Sequence, residues 1–231
     1  GFKSLSFPAK LTRIVEARDR FHILPWSGGL MEKQLDNFCR VLVKTGALQF
    51  GLFTLSGGKL SPYYIDLRIL PSFPDAFQTS IDLLLRNAKR IEGIDKIAGI
   101  PTGGLPWASV LAYSLSKPLV YTRKDVKLHG RERKVEGVLA PGDRVLLIDD
   151  VITTGKNTLG ALQSLRSEGG VVEDALVILD REEGGRTHLE KAGVRLHSVA
   201  RISEIAQKLL DMDAISKTQF EELTGQQNSQ Q

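Results

Sequence analysis

Two adjacent carboxylates followed by a hydroxyl- and glycine-rich turn, Asp149-Asp150-Val151-Ile152-Thr153-Thr154-Gly155-Lys156-Asn157-Thr158, are the part of this chain best equipped for chemistry. Paired acids can accept hydrogen bonds from a sugar diol, meet a hard cation, or cap a helix. Just before them, the apolar run Val145 to Ile148 has the length and β-branching of a strand covered on both faces of a parallel sheet. Ligands of such sheets collect beyond the carboxyl ends of the strands. After the turn, Leu159, Leu162 and Leu165 fall at helical spacing, so Thr153 to Thr158 opens a helix whose free amides and dipole favour a phosphate. The combination reads as a site for a phosphorylated sugar. A helix cap alone explains one acid and leaves the turn unexplained. A Walker A loop fails, because Asp150 stands where its first glycine belongs and Asn157 where its Ser or Thr belongs.

A second glycine turn, Gly99-Ile-Pro-Thr-Gly-Gly-Leu-Pro106, also lies between a predicted strand and a predicted helix, with the amides of Thr102, Gly103 and Gly104 as donors. Alone, such a turn is ordinarily only a turn. The third segment is basic: Arg123 to Lys134 holds six Lys/Arg against two acids. The whole chain carries +4 with a pI near 9.2, which suits an anionic partner. No aromatic residue interrupts the basic run, so stacking on single-stranded nucleic acid is poorly supported and a small polyanion is the better reading.

The elements that must position these segments follow from pattern. At 231 residues, 42% hydrophobic and 25% charged, the chain is an ordinary globular protein able to bury one substantial core. No apolar run is long enough for a membrane span and no amino-terminal signal is seen, so a cytoplasmic location is expected. Cys39, the single cysteine, sits at helical spacing with Leu35, Phe38, Leu42 and Val43, which marks a core position and not a nucleophile. Residues 1–30 show no clean period and form an extension. A helix is expected from Met31 to a cap at Gly46, then two strands over 49–55 and 61–67 joined as a hairpin at Ser56-Gly57-Gly58-Lys59, then a helix from Pro74. Strands over 96–100, 119–122, 144–148, 171–179 and 194–200 alternate with helices over 106–115, after 153, and over 186–192. Terminal helices over 203–210 and 217–223 precede a polar tail, 224–231, expected to be disordered. The alternation predicts an α/β fold with a mainly parallel central sheet flanked by helices.

Together the motifs resemble those of the type I phosphoribosyltransferases, whose motif for phosphoribosyl pyrophosphate (PRPP) matches Val145 to Gly155. The resemblance implies one domain over 31–223, with an N-terminal hairpin hood at 31–70 and a core at 71–202. It implies that Asp149 and Asp150 take the ribose hydroxyls, and that Val151, Ile152, Thr153, Thr154, Gly155, Lys156 and Asn157 enclose the 5-phosphate. Thr102, Gly103 and Gly104 match the loop for departing pyrophosphate. Arg123-Lys124-x-x-Lys127-x-His129-Gly130 resembles the mobile catalytic loop of the orotate phosphoribosyltransferases, which closes over the neighbouring subunit's PRPP. In that role Arg123 and Lys124 hold pyrophosphate oxygens, and Lys127 and His129 neutralise or protonate them.

Phe53 to Arg68 resembles the family's hairpin, whose backbone near Tyr63 and Tyr64, with Thr153, borders the pyrimidine. Leu179-Asp-Arg-Glu-Glu-Gly-Gly185 resembles the segment whose arginine, Arg181, pairs with the orotate carboxylate through two hydrogen bonds. The activity implied is Mg²⁺-dependent transfer of phosphoribosyl from PRPP to orotate, in pyrimidine biosynthesis. No dedicated metal ligands are implied, the ion being held by PRPP and water with Asp149 or Asp150 as its protein contact. A homodimer, an orotidine monophosphate decarboxylase fused or associated, and no nucleic acid or membrane partner complete the expectation. The alternatives are a purine phosphoribosyltransferase and a non-catalytic PRPP-sensing regulator that binds nucleic acid. Relatives with a lysine where this chain has Ser56, and a Tyr-Lys pair where it has Thr102-Gly103, differ from it there. His22, His188 and His197 are not at metal-ligand spacing and read as structural.

Overall fold

Continuous apolar strands make the centre of this molecule. In the computed structural model, residues 28–54, 58, 60–123 and 134–225 are described. The chain divides into two units, residues 1–33 and 34–231; of the first, only the start of helix α1 (Gly28–Lys44) is described. The extension at 1–27, Ser56, Lys59, the run 124–133 and the tail 226–231 lie outside the described residues.

The hairpin is β1 (Leu48–Thr54) against β2 (Leu60–Ile65), antiparallel. A 3-10 turn, Leu67–Ser72, follows where the strand pattern had been extended to Leu67; Asp66 ends the strand by accepting the Arg68 amide, a local bond that competes with the ladder. Then come α2 (Pro74–Ala88), β3 (Lys96–Gly99), α3 (Leu105–Leu115), β4 (Leu119–Thr122) and β5 (Val135–Glu136). The chain continues through β6 (Arg144–Ile152), α4 (Lys156–Ser167), β7 (Val171–Asp180), α5 (Gly185–Lys191), β8 (Arg195–Arg201), α6 (Ile202–Asp211) and α7 (Lys217–Gly225).

The sheet order is β5-β4-β3-β6-β7-β8. All pairs are parallel except β4–β5. β5 was not foreseen: two residues are too few to show a period. Helices cover both faces, as the pleat requires. Leu146 and Ile148 join Trp107 and Leu111 of α3 in one core, while Val145 and Leu147 join Ala161, Leu162 and Leu165 of α4 in the other. Cys39 is fully buried in the first core, and burial pushes its thiol up to about 12.

This order creates a crevice. From β3 the chain moves outward to β4 and β5, then returns to β6 beside β3 and proceeds the other way. The segments leaving β3 and β6 therefore diverge, and such a switch point is where open α/β sheets bind ligands. One is the Thr102-Gly103-Gly104 turn and the other is the Thr153 to Asn157 turn.

Candidate active site

Strand β6 runs further than its apolar stretch suggests. Val151 pairs with Leu179 and Ile152 with Asp180, so Asp149 and Asp150 lie inside the strand and not beyond it. Neighbouring side chains of a strand alternate in face, yet these two carboxyls stay close enough for a hydrogen bond between them. Asp149 is 7% exposed, and its Oδ1 accepts the Asp150 amide at 3.0 Å. Asp150 points to the other glycine turn: a Cβ added at Gly103 would collide with its Oδ1 and lie 2.6 Å from its Cγ. Burial pushes the Asp150 carboxyl above its ordinary value, opposed by the hydrogen bond with Asp149, by backbone amides and by the Arg68 charge.

The turn after β3 is pressed onto β6. Its Ile100 amide donates to Ile148 O at 3.0 Å and its Gly104 amide to Ile100 O at 3.0 Å. The Gly104 amide is thus occupied, which corrects its expected role as a pyrophosphate donor. Gly104 serves close packing instead, since a Cβ there would stand 2.6 Å from Ile148 O. Exposed Thr102 and half-buried Gly103 keep the free rim, and the Pro101–Thr102 peptide is cis.

The turn after β6 is shaped from behind by α5. Gly155 takes φ +80°, and α4 begins at Lys156. The Gly185 amide donates to Thr153 O at 2.9 Å, and His188 Nδ1 lies 2.8 Å from Thr154 O. Lys156 and Asn157 are exposed and Thr154 is exposed, whereas Ile152 is 1% exposed and packs in the second core. The Ile152 side chain thus faces the core, and its carbonyl accepts the Arg181 amide at 3.0 Å. Val151 packs partly buried against the first core.

On the hairpin side, Tyr63 is 1% exposed. Its hydroxyl accepts from Arg181 Nη2 at 3.2 Å, and the guanidinium carbon sits 4.9 Å from its ring centroid, a cation–π contact. Arg181 Nη2 also lies 2.8 Å from Glu183 Oε1. Arg181 Nε is buried with no hydrogen-bond partner among the described residues. Burial raises the Tyr63 phenol, and the Arg181 charge pulls it back. Half-buried Tyr64 accepts from Arg68 Nη2 at 3.1 Å, and Arg68 also grips Asp66 at 2.7 and 2.8 Å. Arg68 and Glu183 lie inside the quoted motif segments but were given no role in the sequence reading, and His188, read as structural, was not linked to the Thr154 carbonyl it meets.

Of the basic run, Lys124, Lys127 and His129 lie outside the described residues. Its stem is tied: the Arg123 amide donates to Lys134 O at 3.0 Å, and Arg123 Nη1 meets Glu136 Oε1 at 2.8 Å. Glu168 accepts the amides of Lys134 and Val135 at 2.8 and 3.0 Å. A cavity of about 360 Å³ lies between this stem and α4, with Arg123, Lys134 and Lys156 in its lining and no acid among the described residues there. An anion is the ligand that such a wall favours.

Residues 78–216 match the model of the phosphoribosyl transferase domain. The chain is 47% identical over 178 residues to the orotate phosphoribosyltransferase of Cenarchaeum symbiosum, covering 76% of this chain and 89% of that one. The chain belongs to the orotate phosphoribosyltransferase family. The crystal structure of the family member from Aeropyrum pernix is similar at TM-score 0.69 and 40% identity, over 78% of this chain and 99% of that one. Leishmania donovani UMP synthase is similar at TM-score 0.75 and 32% identity over 84% of this chain, which spans 42% of that longer protein. The family's type I fold, with its mainly parallel sheet, is the one expected from the motifs.

Proposed function

We propose that this chain transfers the phosphoribosyl group of PRPP to N1 of orotate, releasing pyrophosphate and giving orotidine 5-monophosphate. The observation that carries this reading is the meeting of the two turns across the switch point, with Asp150 between them and Arg181 beneath the hairpin. The reaction needs a held sugar phosphate, a neutralised leaving group and an oriented nucleophile. Positioning and charge stabilisation supply most of such catalysis. The amides and hydroxyls of Thr153 to Asn157 hold the 5-phosphate, and Asp149 and Asp150 accept the ribose hydroxyls. Thr102 and Gly103 face pyrophosphate, and Arg181 takes the orotate carboxylate beside the backbone of Tyr63, Tyr64 and Thr153. Lys127 and His129, with Arg123 and Lys124, stabilise the leaving oxygens of the partner subunit's substrate in a homodimer.

The donor set at the switch point is two carboxylates, hard oxygens of the class that meets Mg²⁺; among the described residues no larger group of His, Cys, Asp and Glu gathers as a cage. Mg²⁺ brought by PRPP and water fits that set through Asp149 or Asp150, and it supplies charge on the phosphate oxygens. No described helix is long and apolar enough to cross a membrane, and we place the chain in the cytoplasm. A decarboxylase acting on the product, fused or associated, is the partner this reading adds.

The test is the ultraviolet loss of orotate on mixing with PRPP and Mg²⁺, with adenine, hypoxanthine and DNA as controls. Loss with a purine, or DNA binding without turnover, would select one of the alternatives. Removing a charge-stabilising donor costs about 10²–10³ in turnover, so Lys127→Ala or His129→Ala should lose that much with PRPP binding retained. Near-normal turnover in both would reject the loop's role. Mixing Lys127→Ala with Asp150→Asn should restore activity if each site draws on two chains.

A further inference from the structure

We infer that His188 is a positioning residue for the 5-phosphate, setting the direction in which the phosphate turn presents its amides. The inference rests on the PRPP reading of that turn. A trans peptide is planar, with its C=O and the following N–H pointing in opposite directions. Whatever captures a carbonyl on one side therefore aims the next amide to the other. Two consecutive carbonyls of the turn are captured by the same short helix: Thr153 O by the Gly185 amide at 2.9 Å, and Thr154 O by His188 Nδ1 at 2.8 Å.

The first bond turns the Thr154 amide away from α5, and the second turns the Gly155 amide the same way. The next amides, at the start of α4, have no intrahelical acceptor. Successive N–H groups pointing one way form an anion-binding concavity, and here α5 supplies its back wall. The wall stands close: a Cβ at Gly155 would lie 3.3 Å from Gly185 Cα, and one at Gly185 would lie 2.5 Å from Thr153 O.

The chemistry of the His188 bond is one-directional. A carbonyl oxygen only accepts, so Nδ1 carries the proton and donates, and the imidazole holds this geometry whether neutral or charged. Alanine at 188 removes the donor and frees the Thr154–Gly155 peptide to rotate. Asparagine can offer an N–H from nearly the same place as Nδ1. His188 touches neither the sugar's reacting carbon nor the base in this arrangement, so its effect belongs to phosphate affinity and not to the chemical step.

The experiment compares wild type, His188→Ala and His188→Asn by full kinetics and by calorimetric binding of ribose 5-phosphate. One hydrogen bond of this kind is worth about tenfold at most in affinity. His188→Ala should therefore raise KM for PRPP and Kd for ribose 5-phosphate by about five- to tenfold, with kcat and KM for orotate near wild type, and His188→Asn should recover most of the loss. Unchanged PRPP and ribose 5-phosphate affinities in His188→Ala would overturn the inference. So would equal losses for both substrates that asparagine does not rescue. If wild type binds ribose 5-phosphate but turns over no orotate, the activity proposed above fails, while the affinity comparison still decides the role of His188.

Discussion

The half of the site proposed for phosphate and the half proposed for the pyrimidine are built on opposite plans. The phosphate half is backbone: residues within one stretch, Thr153 to Asn157, aimed by donors from α5. The pyrimidine half is side chain: a guanidinium, a phenol and a carboxylate brought from a hairpin and a strand end that are far apart in sequence. A backbone site tolerates changes of side chain and fails when a peptide cannot turn. A side-chain site fails when one member of a buried set is removed.

Arg181→Ala should give the largest effect. It strands the Glu183 carboxylate and the buried Tyr63 hydroxyl, and breaking a buried ion pair costs about 3–5 kcal/mol, readable as a lower midpoint in urea. In the same variant, loss of a charge-assisted contact should raise KM for orotate by about 10- to 100-fold, leaving KM for PRPP near wild type. Equal effects on the two substrates would collapse the division between the halves. Gly185→Ala should do the reverse. Its new methyl would stand 2.5 Å from Thr153 O and 2.7 Å from Ile152 Cγ1; overpacking of this sort costs about 1–3 kcal/mol. PRPP affinity should fall by roughly tenfold with orotate affinity retained, and an unmoved PRPP KM would show that α5 does not shape the turn.

The smallest effect on function belongs to Asp174, away from both halves. Burial would raise its carboxyl, but hydrogen bonds from Arg195 and His197, with their charges, outweigh burial and lower it. A carboxyl lowered in the folded state adds stability above its unfolded pKa and loses it as pH falls through the folded one. Asp174→Asn should therefore lose stability at neutral pH and converge on wild type in strong acid, with both KM values unchanged. A gap between the two proteins that persists in acid would remove the linkage.

Legibility in the sequence followed the same division. The turn proposed for phosphate is contiguous, so its residue types and the flanking periods could single it out, and the alternating α/β order followed from apolar runs and helical spacing. The strand's continuation through Asp149 to Ile152 was hidden, because two carboxylates look like an end until β7 pairs beside them. Gly104 looked like a donor because its commitment to Ile100 O depends on how tightly the turn folds onto β6. His188 carried no local signal at all: its partner lies 34 residues earlier, on another element. Arg181 was legible as a residue, whereas its setting against Tyr63 and Glu183 required the fold.

The Tyr63–Arg181 contact also has a meaning in time. The two residues are separated by 118 positions, and translation proceeds at about 5–20 residues per second. Tyr63 is therefore made about 6 to 24 s before the arginine that will sit over its ring. During that interval the Tyr63 ring lacks the guanidinium that will cover it. The half proposed for the pyrimidine is completed only after β7 has been made, so a chain that stops at Ser167, the end of α4, already contains the Thr153 to Asn157 turn and still lacks Arg181.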